Sequence, residues 1–233
     1  RQRIMTGFTL QKYTRMKNGS YYRSHSVTVT MTNPGTGLSY RALVIQGDYL
    51  YVFYQDQTAK VVRCNRVNKS DLTSQTTMTV PAISNAGSDA IKAWSNAQHV
   101  YVSVNGISST YKLSISGTTI SSVGSGTTSA SIYNVDKGGS FVYAKNGSTY
   151  FVYGDSSSVY FIKLLDEYGS SVSSVSIQSE QGFGPEQAYS SNPFTNAMSM
   201  IHADDEIMYV CFRGTLDTIS TSYLYGIALY PID

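Results

Sequence analysis

The sequence predicts an all-β protein in which one module of strands is used four times. An aromatic residue followed by valine recurs in the middle of a short apolar strand, and the valines are 50, 50 and 58 residues apart. The same order of strands and turns surrounds each pair. No helical period of 3.6 residues persists along the chain. The pairs are Tyr51-Val52, Tyr101-Val102, Phe151-Val152 and Tyr209-Val210.

The composition is that of a folded chain. Hydrophobic residues make up 41% of the 233 residues and charged residues 14%, which is too apolar for disorder. No apolar run reaches the roughly 18 residues of a membrane-spanning helix. The 20 tyrosines, with threonine and valine, favour pleated and half-buried strands. We therefore predict a single domain, residues 1–233, without membrane insertion.

Each module consists of three or four predicted strands joined by short turns. Two of these turns contain Asn-Gly, the strongest short signal for a β-hairpin. The predicted strands span 40–45, 49–54, 60–66 and 76–80 in the first module, 90–94, 100–104, 111–115 and 118–123 in the second, 141–144, 150–153, 159–165 and 172–177 in the third, and 197–201, 207–212 and 223–229 in the fourth.

The N-terminus repeats part of the module. Residues 11–18 resemble residues 62–69, and residues 26–31 resemble residues 76–80, so the N-terminus is predicted to form the outer half of a module. A step near 50 residues suits a four-stranded propeller blade, and a ring closed by pairing its first and last strands leaves no exposed sheet edge. We predict a small β-propeller of four antiparallel blades closed in this way, with five blades or a β-sandwich as alternatives.

The aromatic-valine strand and the Val-x-Arg or Tyr-x-Leu strand after it resemble the blades of small β-propellers. The bias towards Tyr, Ser, Thr and Gly is similar to that of the distal domains of viral or phage spikes. The second resemblance implies host attachment through a receptor and a carrier stem. It also implies a virion-surface or extracellular location. Because the chain begins at Arg1, we expect a distal fragment of a longer chain, which forms a homo-oligomer through the missing N-terminal stem.

Charge is unevenly distributed along the chain. Residues 1–69 contain 11 Lys or Arg and two acids, a net charge of +9, and residues 70–233 have a net charge of −7. Such asymmetry can steer a polyanion towards one side of the molecule. Charge runs more often form solvated faces or attract a neighbouring blade, and we prefer these two interpretations. An overall charge of +2 is too small to favour nucleic acid as a partner. The basic candidates are Arg1, Arg3, Lys12, Arg15, Lys17, Arg23, Arg63, Arg66 and Lys69.

Catalytic motifs are missing from the sequence. It contains no nucleophile elbow, phosphate loop or His-Glu-x-x-His helix motif. A glycosidase needs two convergent carboxylates about 5–10 Å apart, and the candidate acids fall at turns, where Asp is common. We therefore expect a non-catalytic protein. A propeller glycosidase and a structural assembly module are the alternatives.

The expected ligand is a cell-surface glycan or another host receptor. Tyrosine rings stack on sugar rings, and long connections such as residues 178–195 are common places for binding residues. No cofactor is expected except calcium, whose carboxylate ligands would be Asp204, Asp205 and Glu206, although a solvated acidic turn is the preferred interpretation. Cys64 and Cys211 are expected to be free buried thiols. The predicted ligand-binding residues are Tyr21, Tyr22, Trp94, Phe183 and Tyr189.

Overall fold

A computed structural model describes residues 7–34, 41–73, 75–84, 91–104, 108–133, 139–143, 147–154, 158–178, 199–203, 207–215 and 223–231. The all-β prediction is confirmed, because these residues contain 17 strands and one helix of four residues. No helix in this part of the chain is long and apolar enough to cross a membrane. The chain divides into two compact units: unit 1 is Arg1–Val102 with Lys112–Gly124, and unit 2 is Ser103–Tyr111 with Ser125–Asp233.

The strands form an N-terminal hairpin followed by four sheets in which each strand pairs with the next along the chain. Every strand pair whose register the structure describes is antiparallel. The hairpin contains β1 (Gly7–Arg15) and β2 (Tyr21–Thr30). The sheets contain β3 (Arg41–Gln46), β4 (Tyr49–Asp56), β5 (Val61–Asn68) and β6 (Gln75–Thr77); β7 (Ile91–Ser95), β8 (Val100–Val104), β9 (Ser109–Ser116) and β10 (Thr119–Thr127); β11 (Gly139–Tyr143), β12 (Thr149–Gly154), β13 (Ser158–Leu164) and β14 (Val172–Gln178); and β15 (Ser199–Ala203), β16 (Ile207–Thr215) and β17 (Tyr223–Pro231).

The aromatic-valine pair lies in the second strand of every sheet, as the repeat predicts. In β4, every residue from Tyr51 to Asp56 is buried, so both faces of the first sheet are covered. Val52 and Tyr54 pack on one face against Val29 of β2 and Met31, which follows β2. The alternation of side chains places Phe53, which is fully buried, on the opposite face. The core of unit 1 therefore lies on both sides of β4.

Equivalent strands of neighbouring modules contact each other within each unit. In unit 1, β3 lies against β7, and the Ser95 hydroxyl donates to the carbonyl of Ile45 over 2.8 Å. These two residues are 50 positions apart, which is the repeat step, so the same point of two modules is joined. In unit 2, β11 lies against β15 in the same way. Thr79 and Thr119 form a parallel bridge, so the outer edges of the first two modules run in one direction.

The turn of the N-terminal hairpin has the same side-chain cap as the turn between the third and fourth strands of the first module. In its turn, Asn18 Oδ1 accepts hydrogen bonds from the backbone N–H and the hydroxyl of Ser20, at 3.0 and 2.7 Å. In the turn after β5, Asn68 Oδ1 accepts from the same two groups of Ser70, at 2.8 and 2.7 Å. The two turns are 50 residues apart. This identity supports the prediction that the N-terminus is the outer half of a module.

The one described helix, α1 (Ala130–Tyr133), follows β10. Four residues are too few to produce a helical period, so no pattern in the sequence predicts this helix. The turn after β13 covers this region of unit 2. The Ser129 N–H donates to the carbonyl of Gly169 over 2.7 Å, and Tyr168 lies against the backbone of Gly126. A close approach of this kind requires glycine, because a Cβ on Gly126 would lie 2.4 Å from Cγ of Tyr168.

Candidate ligand-binding surface

Alternate turns of a meander lie at the same edge of its sheet, and in unit 1 these turns are tied together. Lys69 donates its backbone N–H to Asp48 O and its Nζ to Gly47 O, both over 2.8 Å. Arg66 Nη1 donates to the carbonyl of Gly117 in the second sheet over 2.6 Å. We call this side of unit 1 the turn edge; its turns are residues 47–48, 69–71, 96–99 and 117–118.

The N-terminal hairpin lies beside β5 and β6 and extends beyond the turn edge. Thr30 and Gln75 exchange two hydrogen bonds, each of 3.0 Å, between the backbone of one and the side-chain amide of the other. Nearer the turn, Lys12 Nζ donates to the carbonyl of Ser70. The register places His25 opposite Lys12, and four further residues of β2 lead to its start at Tyr21. At about 3.4 Å per residue, the hairpin tip (residues 16–24) projects by roughly 14 Å.

The projecting tip is exposed and basic. Lys17 and Arg23 are exposed, and Met16 and Tyr22 are 49% and 50% exposed despite their apolar surface. Met16 and Tyr22 give the tip accessible apolar surface in addition to its charges. The tip therefore combines one accessible aromatic ring with two cationic side chains.

The uneven charge of the sequence coincides with the two units. Unit 1 contains 13 Lys or Arg and four Asp or Glu, a net charge of +9, whereas unit 2 contains four and 11, a net charge of −7. In unit 1, Arg63 is paired with Asp56 at 2.9 Å. Lys12, Arg66 and Lys69 donate instead to backbone carbonyls, which do not cancel their charge. The turn edge therefore keeps a positive potential.

Two acids lie at the turn edge, Asp48 and Asp71. Hydrogen bonds from the backbone N–H and side chain of Thr73 lower the pKa of Asp71, partial burial opposes them weakly, and the nearby His25 lowers the pKa further. Asp71 is therefore ionised at neutral pH. The bases of the tip and edge, Lys12, Lys17, Arg23, Arg66 and Lys69, outnumber these acids.

The predicted aromatic site residues lie in different environments. Tyr22 is exposed on β2, opposite Thr14. Tyr21 begins the same strand, opposite Arg15, but its side chain lies outside the described part of the chain. Trp94 is only 3% exposed and stacks on Tyr101 with 5.6 Å between ring centroids, so it belongs to the core. Its role in binding stays a prediction.

The remaining predicted site residues, Phe183, Tyr189, Asp204, Asp205 and Glu206, lie outside the described residues. Within the residues that are described, no group of three or more His, Cys, Asp or Glu could hold a metal ion. Calcium binding by the acidic turn stays a prediction. Cys64 is a buried free thiol in β5, and its burial raises its pKa well above the ordinary value.

Two acids that sequence reasoning passed over organise turns. Asp56 accepts hydrogen bonds from the N–H groups of Thr58 and Ala59 and from Arg63. Asp166 accepts from Tyr168, Ser170 and Ser171 in the turn after β13. Partial burial raises the pKa of each carboxyl, but these donors outweigh it and hold both pKa values below the ordinary one. The signal for Asp166 was present, since Asp followed three residues later by Gly is typical of a type I turn.

No protein-family model matches this chain, and no curated protein matches it.

Proposed function

We propose that this chain is a small β-propeller and that it is a non-catalytic domain that binds glycans or another receptor on a cell surface. The observation that carries the proposal is the projecting hairpin tip, where Tyr22 is half exposed and Arg23 and Lys17 are also exposed. A rigid sheet scaffold that holds an exposed ring and flexible polar side chains is suited to shallow recognition. The ring stacks on the apolar face of a sugar, and the polar groups bind its hydroxyls.

The ring arrangement is supported by the contacts between equivalent strands. Successive modules in a propeller are related by rotation about one axis, so equivalent inner strands become neighbours and run in the same direction. The hydrogen bond from Ser95 to Ile45, at equivalent ends of the inner strands β7 and β3, fits this relation. In the proposed ring, the N-terminal hairpin joins the C-terminal sheet of three strands to complete the last blade.

Circular permutation tests the closed ring. The native ends are joined by a short Gly-Ser linker, and new ends are opened between Ser84 and Ile91, in the connection between two modules. In a closed ring the permuted protein keeps the circular dichroism spectrum and melting temperature of the parent. A fold with distant ends, such as a sandwich with termini at opposite poles, would be disrupted by the same linker.

Two described acids, Asp56 and Asp166, are held within turns. Asp56 and Asp166 have lowered pKa values and are held by turn donors, so they are poor proton donors at neutral pH. The Tyr, Ser, Thr and Gly bias of the sequence extends the proposal to the distal domain of a viral or phage spike. In that setting the domain is carried outside the cell and attaches the particle to its host.

A glycan array and a host-cell binding assay test the function. Tyr22→Ala is expected to weaken binding roughly two- to tenfold, because an aromatic stacking contact contributes about 0.5–1.5 kcal/mol. Met16→Ala is the matched control, since it removes an equally exposed apolar side chain without a ring from the same tip. Binding that is insensitive to Tyr22→Ala would place the site elsewhere. No binding by the folded protein in either assay would contradict the proposal.

A further inference from the structure

The positive charge of unit 1 is concentrated where the hairpin tip meets the turn edge. Lys17 and Arg23 are exposed on the tip, and Lys69 is exposed on the turn after β5. Lys12 extends from β1 to the carbonyl of Ser70, next to Lys69, and so connects the two groups. The cationic positions are therefore spread over a distance comparable with the roughly 14 Å projection of the tip. This spacing suits a polymer with several acidic groups better than a single small anion.

The aromatic rings near this surface distinguish between two kinds of polyanion. Single-stranded nucleic acid is bound by stacking successive bases on several exposed rings. Among the Phe, Tyr and Trp side chains that the structure describes, Tyr22 alone is exposed. Tyr49 at the turn edge lies beneath Arg66, whose Cζ is 4.4 Å from the ring centroid. Among the described side chains, one exposed ring with several cations fits a polymer of non-aromatic units.

We propose that the ligand is an acidic polysaccharide, with carboxylate or sulfate groups, bound along the hairpin tip and the adjoining turn edge. Lys17, Arg23 and Lys69 contact its acidic groups, and Tyr22 stacks on one sugar ring. The inference rests on the proposed glycan-binding function and specifies the class of glycan. The acids Asp48 and Asp71 lie at the same edge and disfavour ligand groups placed directly against them.

Binding of defined probes tests this assignment. The probes are a sulfated heparin fragment, polysialic acid, neutral dextran and single-stranded DNA, each measured by biolayer interferometry from low to high salt. We expect the two acidic polysaccharides to bind most tightly and to lose affinity as salt rises. Lys17→Gln and Arg23→Gln should each weaken that binding roughly two- to fivefold, as the loss of one exposed ion pair predicts.

Lys60→Gln is the matched control. Lys60 is exposed in the turn after β4, at the opposite edge of the same sheet, so this variant removes the same charge at a distance from the proposed site. It should leave the affinity unchanged. An equal loss in Lys60→Gln would overturn the proposal, because the effect would then follow net charge alone.

The remaining outcomes separate this inference from the proposed function. Salt-independent binding of neutral dextran by all variants would overturn the acidic ligand and leave glycan binding intact. Failure to bind any polysaccharide would overturn both. Tighter binding of DNA than of the acidic polysaccharides, with the same loss in Lys17→Gln and Arg23→Gln, would assign the surface to nucleic acid instead.

Discussion

Gly126→Ala tests how the turn after β13 packs on β10. The Tyr168 ring lies so close to Gly126 that an added Cβ would be 2.4, 2.7 and 2.9 Å from Cγ, Cδ2 and Cβ of Tyr168. Ordinary contacts of a Cβ begin near 3.4 Å, so the ring would have to move by about 1 Å. Movement away from Gly126 would also disturb the neighbouring hydrogen bond from Ser129 to Gly169.

The expected cost follows from two opposing effects. Overpacking of one methyl group in a packed site costs about 1–3 kcal/mol. Replacement of Gly by Ala reduces the conformational entropy of the unfolded chain, which contributes about 0.4–1 kcal/mol of stability. The net loss is about 1–2 kcal/mol, and in a protein of this size it lowers the melting temperature by about 2–8 °C. Differential scanning calorimetry measures this shift.

A double-mutant cycle identifies the cause. In a Tyr168→Ala background the steric conflict is absent, so Gly126→Ala should become neutral or slightly stabilising. The coupling between the two substitutions then has the opposite sign to the cost of Gly126→Ala alone. Equal destabilisation in both backgrounds would refute the contact and with it the packing of this turn on β10.

Two further predictions concern a turn and the attachment of the hairpin. Asp166→Asn should destabilise the protein at pH 7 by about 1 kcal/mol, at the low end for bonds to a charged group because solvent screens the carboxylate. The pKa of Asp166 is lowered in the folded protein, so the carboxylate stabilises the fold above its ordinary pKa near 3.8. This stabilisation is lost as the pH falls below that value. Urea unfolding at pH 3 should therefore find a smaller difference in stability between Asp166→Asn and wild type. Val29→Ala should lower the free energy of unfolding in urea by about 1–3 kcal/mol, because Val29 is fully buried against β4 and β5. The control Thr28→Ala, on the exposed face of the same strand, should change it by less than about 0.5 kcal/mol. Equal effects of the two would show that the hairpin is not docked there.

Much of the secondary structure could be predicted because its signals are local. The strand predicted at 49–54 is observed as Tyr49–Asp56, and the one predicted at 172–177 as Val172–Gln178. Period-two alternation and turn residues fix such elements within one or two residues of their ends. The likeness of residues 11–18 to residues 62–69 has a physical basis, because each segment contains near its end an Asn, Asn18 or Asn68, whose side chain caps the following turn.

The site was harder to predict because exposure depends on distant residues. Trp94 and Tyr22 are both aromatic residues in strands, and the period of a strand alone does not determine which ring is covered. Trp94 is buried because its ring stacks on Tyr101, which belongs to the next strand. Tyr22 is exposed because the hairpin extends beyond the turn after β5, and this extension depends on the packing of β2 against another module. Single-sequence patterns record periodicity but not the relative displacement of two packed elements.

The same displacement connects the fold to the proposed binding role. A module placed in line with its neighbours would bring residues 16–24 level with the turn edge, where adjacent turns and the acids Asp48 and Asp71 could offset their charge. The hairpin is held instead by Gln75 and Asn65 near the base of β2, where both side chains donate to the carbonyl of Thr30. Beyond these bonds, Leu10 and Val27 pack against the same core, and Lys12 donates to the carbonyl of Ser70 in the turn after β5. The two ends of the hairpin therefore have different environments. The base packs in the core of unit 1, and the tip exposes its charged side chains and its aromatic ring to solvent.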